Sequence, residues 1–250
     1  MGDHPHHHAV FWVDATARVL AALRQRRPQV HALTSPVAQA LTANLLLAAG
    51  AKPSLSQAPG EIEAFAENTD ALLINLGMFD ASRAEAARRA LPILERRRVP
   101  WVLDPVKVER STGRFAFAEE LVARGPQVLR GNAAEIPLFE TIVDRQATVI
   151  AKTGAEDRIE AGKRWILVEN GHPLMAAVTA VGCAGGALVA AFLAVEPDAF
   201  IATGAALLAI AVAGEIAGEH VDGPGSFQPA LIDALYALDA AALEARARVS

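Results

Sequence analysis

Apolar positions along this chain alternate between two spacings, short continuous runs and longer stretches with helical periodicity. A helix is expected from a cap at Asp14 to about Arg27, followed by a short strand at Val30 to Leu33. A second helix runs from about Val37 to Ala49 and ends at Gly50, a residue suited to the left-handed position after a helix. A helix over Gly60 to Asn68, a strand at Ala71 to Asn75 and a charged amphipathic helix from Ala81 to Arg98 come next. Trp101 to Leu103 and Val128 to Arg130 read as buried strands with a helix between them. Thr148 to Lys152 is another, Lys163 to Val168 an edge strand, and the last third is helical. Strands alternating with helices build parallel βαβ units, so the expected fold is α/β, a mostly parallel sheet covered on both faces. Ligands of such sheets gather at the carboxyl ends of the strands. Asp104, Arg130, Asn132, Glu135 and Thr153 all fall at or just after expected strand ends.

Composition narrows the classes. With 250 residues, 52% of them hydrophobic and only 5% aromatic, the chain buries a large core made mainly of Ala, Leu, Val and Ile. Its single cysteine excludes an intramolecular disulfide and fits a reducing compartment, so a cytoplasmic location is expected. A net charge of −5 without a long basic run argues against nucleic acid as a partner. No signal peptide is visible. Ala184 to Val195 is shorter than the roughly 20 residues a bilayer needs. Ala199 to Ala217 is long enough, but its Ala- and Gly-rich run ends near Glu215 and Glu219 and reads as a buried core helix, so no membrane partner is expected. Residues 1–13, with His4 and His6 to His8, are set apart as a flexible tail, and 14–250 as one domain.

The only cysteine, Cys183, sits in Val178-Thr-Ala-Val-Gly-Cys-Ala-Gly-Gly186 at the mouth of an apolar helix. The first N–H groups of a helix have no intrahelical partner and its dipole favours anions, so this is a candidate anion site. A thiol there is expected to have a lowered pKa and to act as base or nucleophile; the plain alternative is a small buried side chain at a helix start.

With its flanks Asn170-Gly-His-Pro-Leu-Met175, Glu215-Ile-Ala-Gly-Glu219 and Gly223-Pro-Gly-Ser-Phe227, the segment resembles the hydroxyethylthiazole kinases, ribokinase-like enzymes of thiamine biosynthesis. Val30-His-Ala-Leu-Thr34, Thr42 to Ala51, Ala71 to Gly77, Val102-Leu-Asp-Pro-Val106, Arg130 to Ile136 and Thr153 to Asp157 match in order, over roughly residues 15 to 240. The resemblance implies a three-layer α/β/α sandwich that transfers phosphate from ATP to the hydroxyethyl group of 4-methyl-5-(2-hydroxyethyl)thiazole. It implies Mg²⁺ on Asp104 and Glu135, and ATP on Arg130, Asn132, Thr153 and Gly154. Cys183 is implied as the catalytic base, and Leu55, Ala180 and Gly182 as substrate contacts, together with the Val30 to Thr34 segment. It also implies a homotrimer with sites between subunits.

Departures from the family pattern leave alternatives open. Ala180 stands where the family has glycine, which is expected to narrow the anion site. Lys107-Val-Glu-Arg-Ser111 replaces a Gly-rich run, Leu55 replaces a usual Met, and Thr34-Ser-Pro-Val-Ala-Gln39 lacks the usual paired asparagines. About 17 residues separate Arg130 from Thr148, room for one short helix. A same-fold kinase for another small alcohol, or a non-catalytic thiazole- or nucleotide-binding relative, are the competing readings.

Overall fold

A computed structural model describes residues 4–219 and 221–250. Eight strands form one sheet: β1 (Gln29–Leu33), β2 (Lys52–Ser54), β3 (Ala71–Asn75), β4 (Trp101–Asp104), β5 (Val128–Asn132), β6 (Val149–Thr153), β7 (Asp157–Ala161) and β8 (Arg164–Val168). They lie in the order β2-β1-β3-β4-β5-β6-β7-β8. Pairings from β2 to β6 are parallel, and β7 and β8 add an antiparallel edge.

Side chains of the central strands alternate between two cores. Ala71, Leu73, Val102 and Val128 join one, Leu72, Ile74, Leu103 and Leu129 the other. A strand covered on both faces needs apolar residues at every position, which explains the unbroken runs in the sequence. Helices α3 (Ile62–Asn68), α4 (Ala81–Arg97) and α5 (Thr112–Val122) contribute Ile62, Leu91 and Leu121 to the second core. Helices α1 (His4–Arg26), α2 (Gln39–Ala49), α7 (Val181–Leu193), α8 (Ala199–Gly218) and α9 (Pro224–Ala237) cover the opposite face. The architecture is the expected α/β/α sandwich. Two shorter helices, α6 (Leu174–Ala177) and α10 (Ala240–Arg246), complete the α-helices among the described residues.

Gly50 closes α2 at φ +105°, donating to the carbonyls of Leu46 and Leu47, as its position after the apolar periodicity predicts. Helix α8 is long and apolar enough to cross a membrane, but 78% of that window is buried inside the protein. Two expectations are corrected. Asp14 does not cap a helix: α1 starts at His4, so Asp14 is interior, and Trp12 is buried where Gly204 lets α8 approach. Most of the expected tail is therefore helical, while Met1 to Asp3 lie outside the described residues. Between β5 and β6 the expected short helix is instead a 3-10 turn at Ile136–Phe139, because Pro137 and the brevity of the segment favour a tighter turn.

Candidate active site

Helix α7 lies against β3 and β4, and its first turns reach the carboxyl ends of the parallel strands. Small residues make this close approach possible: a Cβ at Gly185 would stand 3.4 Å from Arg130 Nη2, and one at Gly186 3.4 Å from Asp104 Oδ2. The helix start is thereby seated directly over an ion pair. Arg130 Nη1 donates to Asp104 Oδ2 at 3.1 Å, and Asn75 Nδ2 donates to the same oxygen at 3.1 Å. Gly77 N–H donates to Asn75 Oδ1, which fixes the amide with its nitrogen toward Asp104.

Asp104 is buried, and that burial pushes its carboxyl up to about 6. Arg130 opposes the shift and the nearby Glu135 charge adds to it. Glu135 in turn accepts Lys107 N–H at 2.7 Å and Asn132 N–H at 2.9 Å, one on each oxygen. It therefore ties the loop after β4 to the end of β5. Two buried carboxylates within reach of each other's charge, balanced by one arginine, suit a cation that takes one or two protein carboxylates and completes its shell with water and phosphate. Among the described residues no cluster of three or more His, Cys, Asp or Glu side chains could cage a metal alone. Asp104 and Glu135 are the carboxylates here that could hold a hydrated divalent cation.

A cavity of about 640 Å³ opens beside this pair, lined by Arg130, Thr153, Gly154, Asp157 and the first turns of α7, with Met175, Leu207, Ile210 and Ala211 as an apolar wall. Arg130 lines this cavity, and its Nε is buried without a hydrogen-bond partner. The Thr153 hydroxyl reaches the Gly131 carbonyl only at 3.4 Å, leaving it available for a better acceptor. Gly154 N–H, in contrast, is taken by Asp157, whose carboxyl burial holds above its usual range. Asn132 spends its side-chain oxygen on Ala134 and Glu135 N–H groups, so it shapes the turn after β5.

The remaining expected residues are less simply placed. Gly182 lines the cavity. Ala180 and Leu55 are not among its lining residues; both side chains pack against the first core. The departure at Ala180 also shows in the backbone, which holds the residue at φ +73°, a glycine-favouring conformation. The expected lowering of the Cys183 pKa is corrected. Burial, reinforced by the Asp104 charge, pushes its thiol up to about 11, against a smaller opposing effect from an Asn75 hydrogen bond. Desolvation outweighs the helix dipole here. Asn75 and Asp157 are functional candidates that sequence reasoning missed; Asn75 stands at the end of β3 beside Asp104, the same strand-end signal that marked the others.

The α/β/α fold is shared with a solved protein described as ribokinase-like. The solved structure of a ribokinase-like superfamily protein from Enterococcus faecalis V583 matches with TM-score 0.65 at 13% identity, over 90% of this chain and 95% of that one. The chain belongs to the hydroxyethylthiazole kinase family, whose model matches residues 20–140 and 136–241. It is 42% identical to a probable hydroxyethylthiazole kinase of Agrobacterium fabrum over 219 residues, 88% of each chain. The structure of a hydroxyethylthiazole kinase protein from Pyrococcus horikoshii OT3 matches with TM-score 0.89 and 35% identity, over 94% of this chain and 98% of that one.

Proposed function

We propose that this protein transfers the γ-phosphoryl group of ATP to the hydroxyethyl group of 4-methyl-5-(2-hydroxyethyl)thiazole, in thiamine biosynthesis. The observation that carries this reading is the buried Arg130–Asp104 pair under the α7 N-terminus, beside a cavity that Arg130 lines and that has an apolar wall. The wall accepts the adenine ring, and Arg130, Thr153 and the α7 N–H groups take the phosphates. Asp104 and Glu135 would hold Mg²⁺, which when bound would neutralise phosphate charge.

The alcohol oxygen bonds to the γ-phosphorus as the bond to the bridging oxygen of ADP breaks. A thiol with a pKa near 11 is protonated at neutral pH and cannot accept the alcohol's proton without first losing its own. In this reading Cys183 orients the hydroxyl, and the proton is lost late, to an oxygen of the transferred phosphoryl group, as a loose transition state permits. Leu55, outside the cavity of its own chain, meets substrate across a subunit boundary of a homotrimer. In this reading the single cysteine supports a cytoplasmic location, and the net charge of −5 weighs against a nucleic-acid partner.

An ADP-release assay with the thiazole alcohol, pyridoxal and hydroxymethylpyrimidine tests the activity. Mg²⁺-dependent turnover confined to the thiazole is expected; turnover on another alcohol alone, or on none, would overturn it. Size-exclusion chromatography with light scattering tests the trimer.

A further inference from the structure

One wall of the cavity is a loop, Asn170 to Pro173, and little of its fixation comes from the loop itself. Asn170 is buried and its whole amide is engaged. Nδ2 donates to Glu215 Oε2 at 2.9 Å and to the Arg246 carbonyl at 2.8 Å, while Oδ1 accepts Arg248 N–H at 2.7 Å. Gly171, at φ +141°, turns its N–H to Glu215 Oε1 at 3.1 Å. Glu215 comes from α8, and Arg248 closes the ring by pairing with it.

Residues beyond α10 form the other side of this arrangement. Leu167 and Ser250 exchange both main-chain hydrogen bonds, and Glu169 N–H donates to the Arg248 carbonyl, so the last residues lie antiparallel beside β8. The next loop residue, His172, is wedged against Gly218 and stacks on Phe227 of α9. The loop is thus held between α8, α9 and the segment at Arg246 to Ser250, none of which supplies Arg130, Asp104 or Cys183.

We propose that Asn170, Glu215 and Arg248 form a latch that positions the Gly171–Pro173 wall, making nucleotide affinity depend on the docked segment from Arg246 to Ser250. The proposal rests on the reading that this cavity takes the nucleotide. Asn170 is a positioning residue: both its side-chain N–H donors and its oxygen are already engaged within the latch, and its contribution lies in where it holds Gly171 and His172.

ADP binding by calorimetry, and KM for ATP and for the thiazole alcohol, are to be measured for wild type, Glu215→Gln, Arg248→Ala and Arg248→Lys. Glu215→Gln keeps the acceptor for Gly171 but loses the charge and one acceptor, and is expected to weaken ADP by about tenfold. Arg248→Ala is expected to weaken it by about threefold, the size of an exposed ion pair, with Arg248→Lys recovering most of the loss. The alcohol's KM should stay within about twofold, because the latch lies on the nucleotide side. The Arg248 side chain is 54% exposed, so its variants report even if Glu215→Gln fails to fold. Wild-type ADP affinity retained by Glu215→Gln and Arg248→Ala, or an equal rise in both KM values, overturns the latch alone. Failure of the wild type to bind ADP overturns the nucleotide reading, and the latch with it.

Discussion

At the scale of single residues, two small side chains decide how the helix start is used. Ala180 sits at φ +73°, where an L-residue with a Cβ costs about 1–2 kcal/mol. Glycine would remove that strain but enlarge the unfolded ensemble by about 0.4–1 kcal/mol, leaving a small net gain. Ala180→Gly is therefore expected to raise the thermal midpoint by about 2 °C, with kcat within about twofold because the methyl faces the core. Scanning calorimetry and steady-state kinetics check both, and a kcat gain well beyond that range would show that the methyl does obstruct the phosphates. Cys183 is the sharper case. As a protonated thiol that orients the alcohol, it should tolerate Cys183→Ser with a kcat loss of less than about tenfold, whereas removal of a general base costs about 10²–10⁴-fold. Cys183→Asp should lose stability, since a further carboxylate would be buried near Asp104 and Glu135. A serine variant slowed a hundredfold at unchanged KM would restore the base assignment.

Among the elements, the strand ends and α7 carry the site, and most of that was legible in the sequence. Buried strands announce themselves as apolar runs, and a polar residue terminating one, as Asp104 ends Trp101-Val-Leu, marks the place where the sheet hands over to a ligand loop. Less legible was what each carboxylate does there. Glu135 holds the Asn132 N–H at the end of β5 and the Lys107 N–H in the loop after β4, the latter a tertiary contact with no periodic signature, whereas Asp104 meets Arg130 and Asn75 side chains. The two should respond differently to neutralisation. Asp104→Asn keeps acceptors for Arg130 and is expected to fold normally while Mg²⁺-dependent turnover falls by at least a hundredfold, about 2.7 kcal/mol of transition-state stabilisation. Glu135→Gln loses an acceptor for one backbone N–H and should also drop in stability by about 1–3 kcal/mol, the cost of a buried donor left unpaired. Urea titration with turnover measurements separates them, and equal stability of the two variants would contradict the loop-tying role of Glu135. The Cys183 pKa was illegible for a related reason: a helix N-terminus is visible in sequence, but the depth at which tertiary packing buries it is not.

At the scale of the whole molecule, the first strand is bound to its edge partner and to α3 through a buried histidine. His31 Nε2 lies 2.9 Å from the Ser56 carbonyl, so it carries the proton and donates, while Nδ1 accepts the Ser54 hydroxyl at 2.7 Å. The ring stacks on Phe65, with centroids 5.1 Å apart. These contacts clasp Leu55 between its two serine neighbours and fix the β2 edge of the sheet. Burial lowers the His31 pKa from 6.5 to about 4, the Ser56 contact opposing it only in part. A histidine that stays neutral in the fold but protonates in the unfolded chain adds stability that is fully present above pH 6.5. That stability is lost as pH falls toward 4, because the unfolded state then binds more protons. The full effect is on the order of 3 kcal/mol. His31→Gln can still donate to Ser56 yet does not titrate, so its thermal midpoint should be lower than wild type at pH 7 and approach it as pH falls from 6.5 toward 4. The difference between the two proteins, rather than either curve alone, isolates His31 from the carboxylates that titrate over the same range. A midpoint difference that stays constant from pH 7 to 4.5 would show that the unfolded chain gains no proton advantage at this position, and the β2 edge would then owe its acid response to other groups.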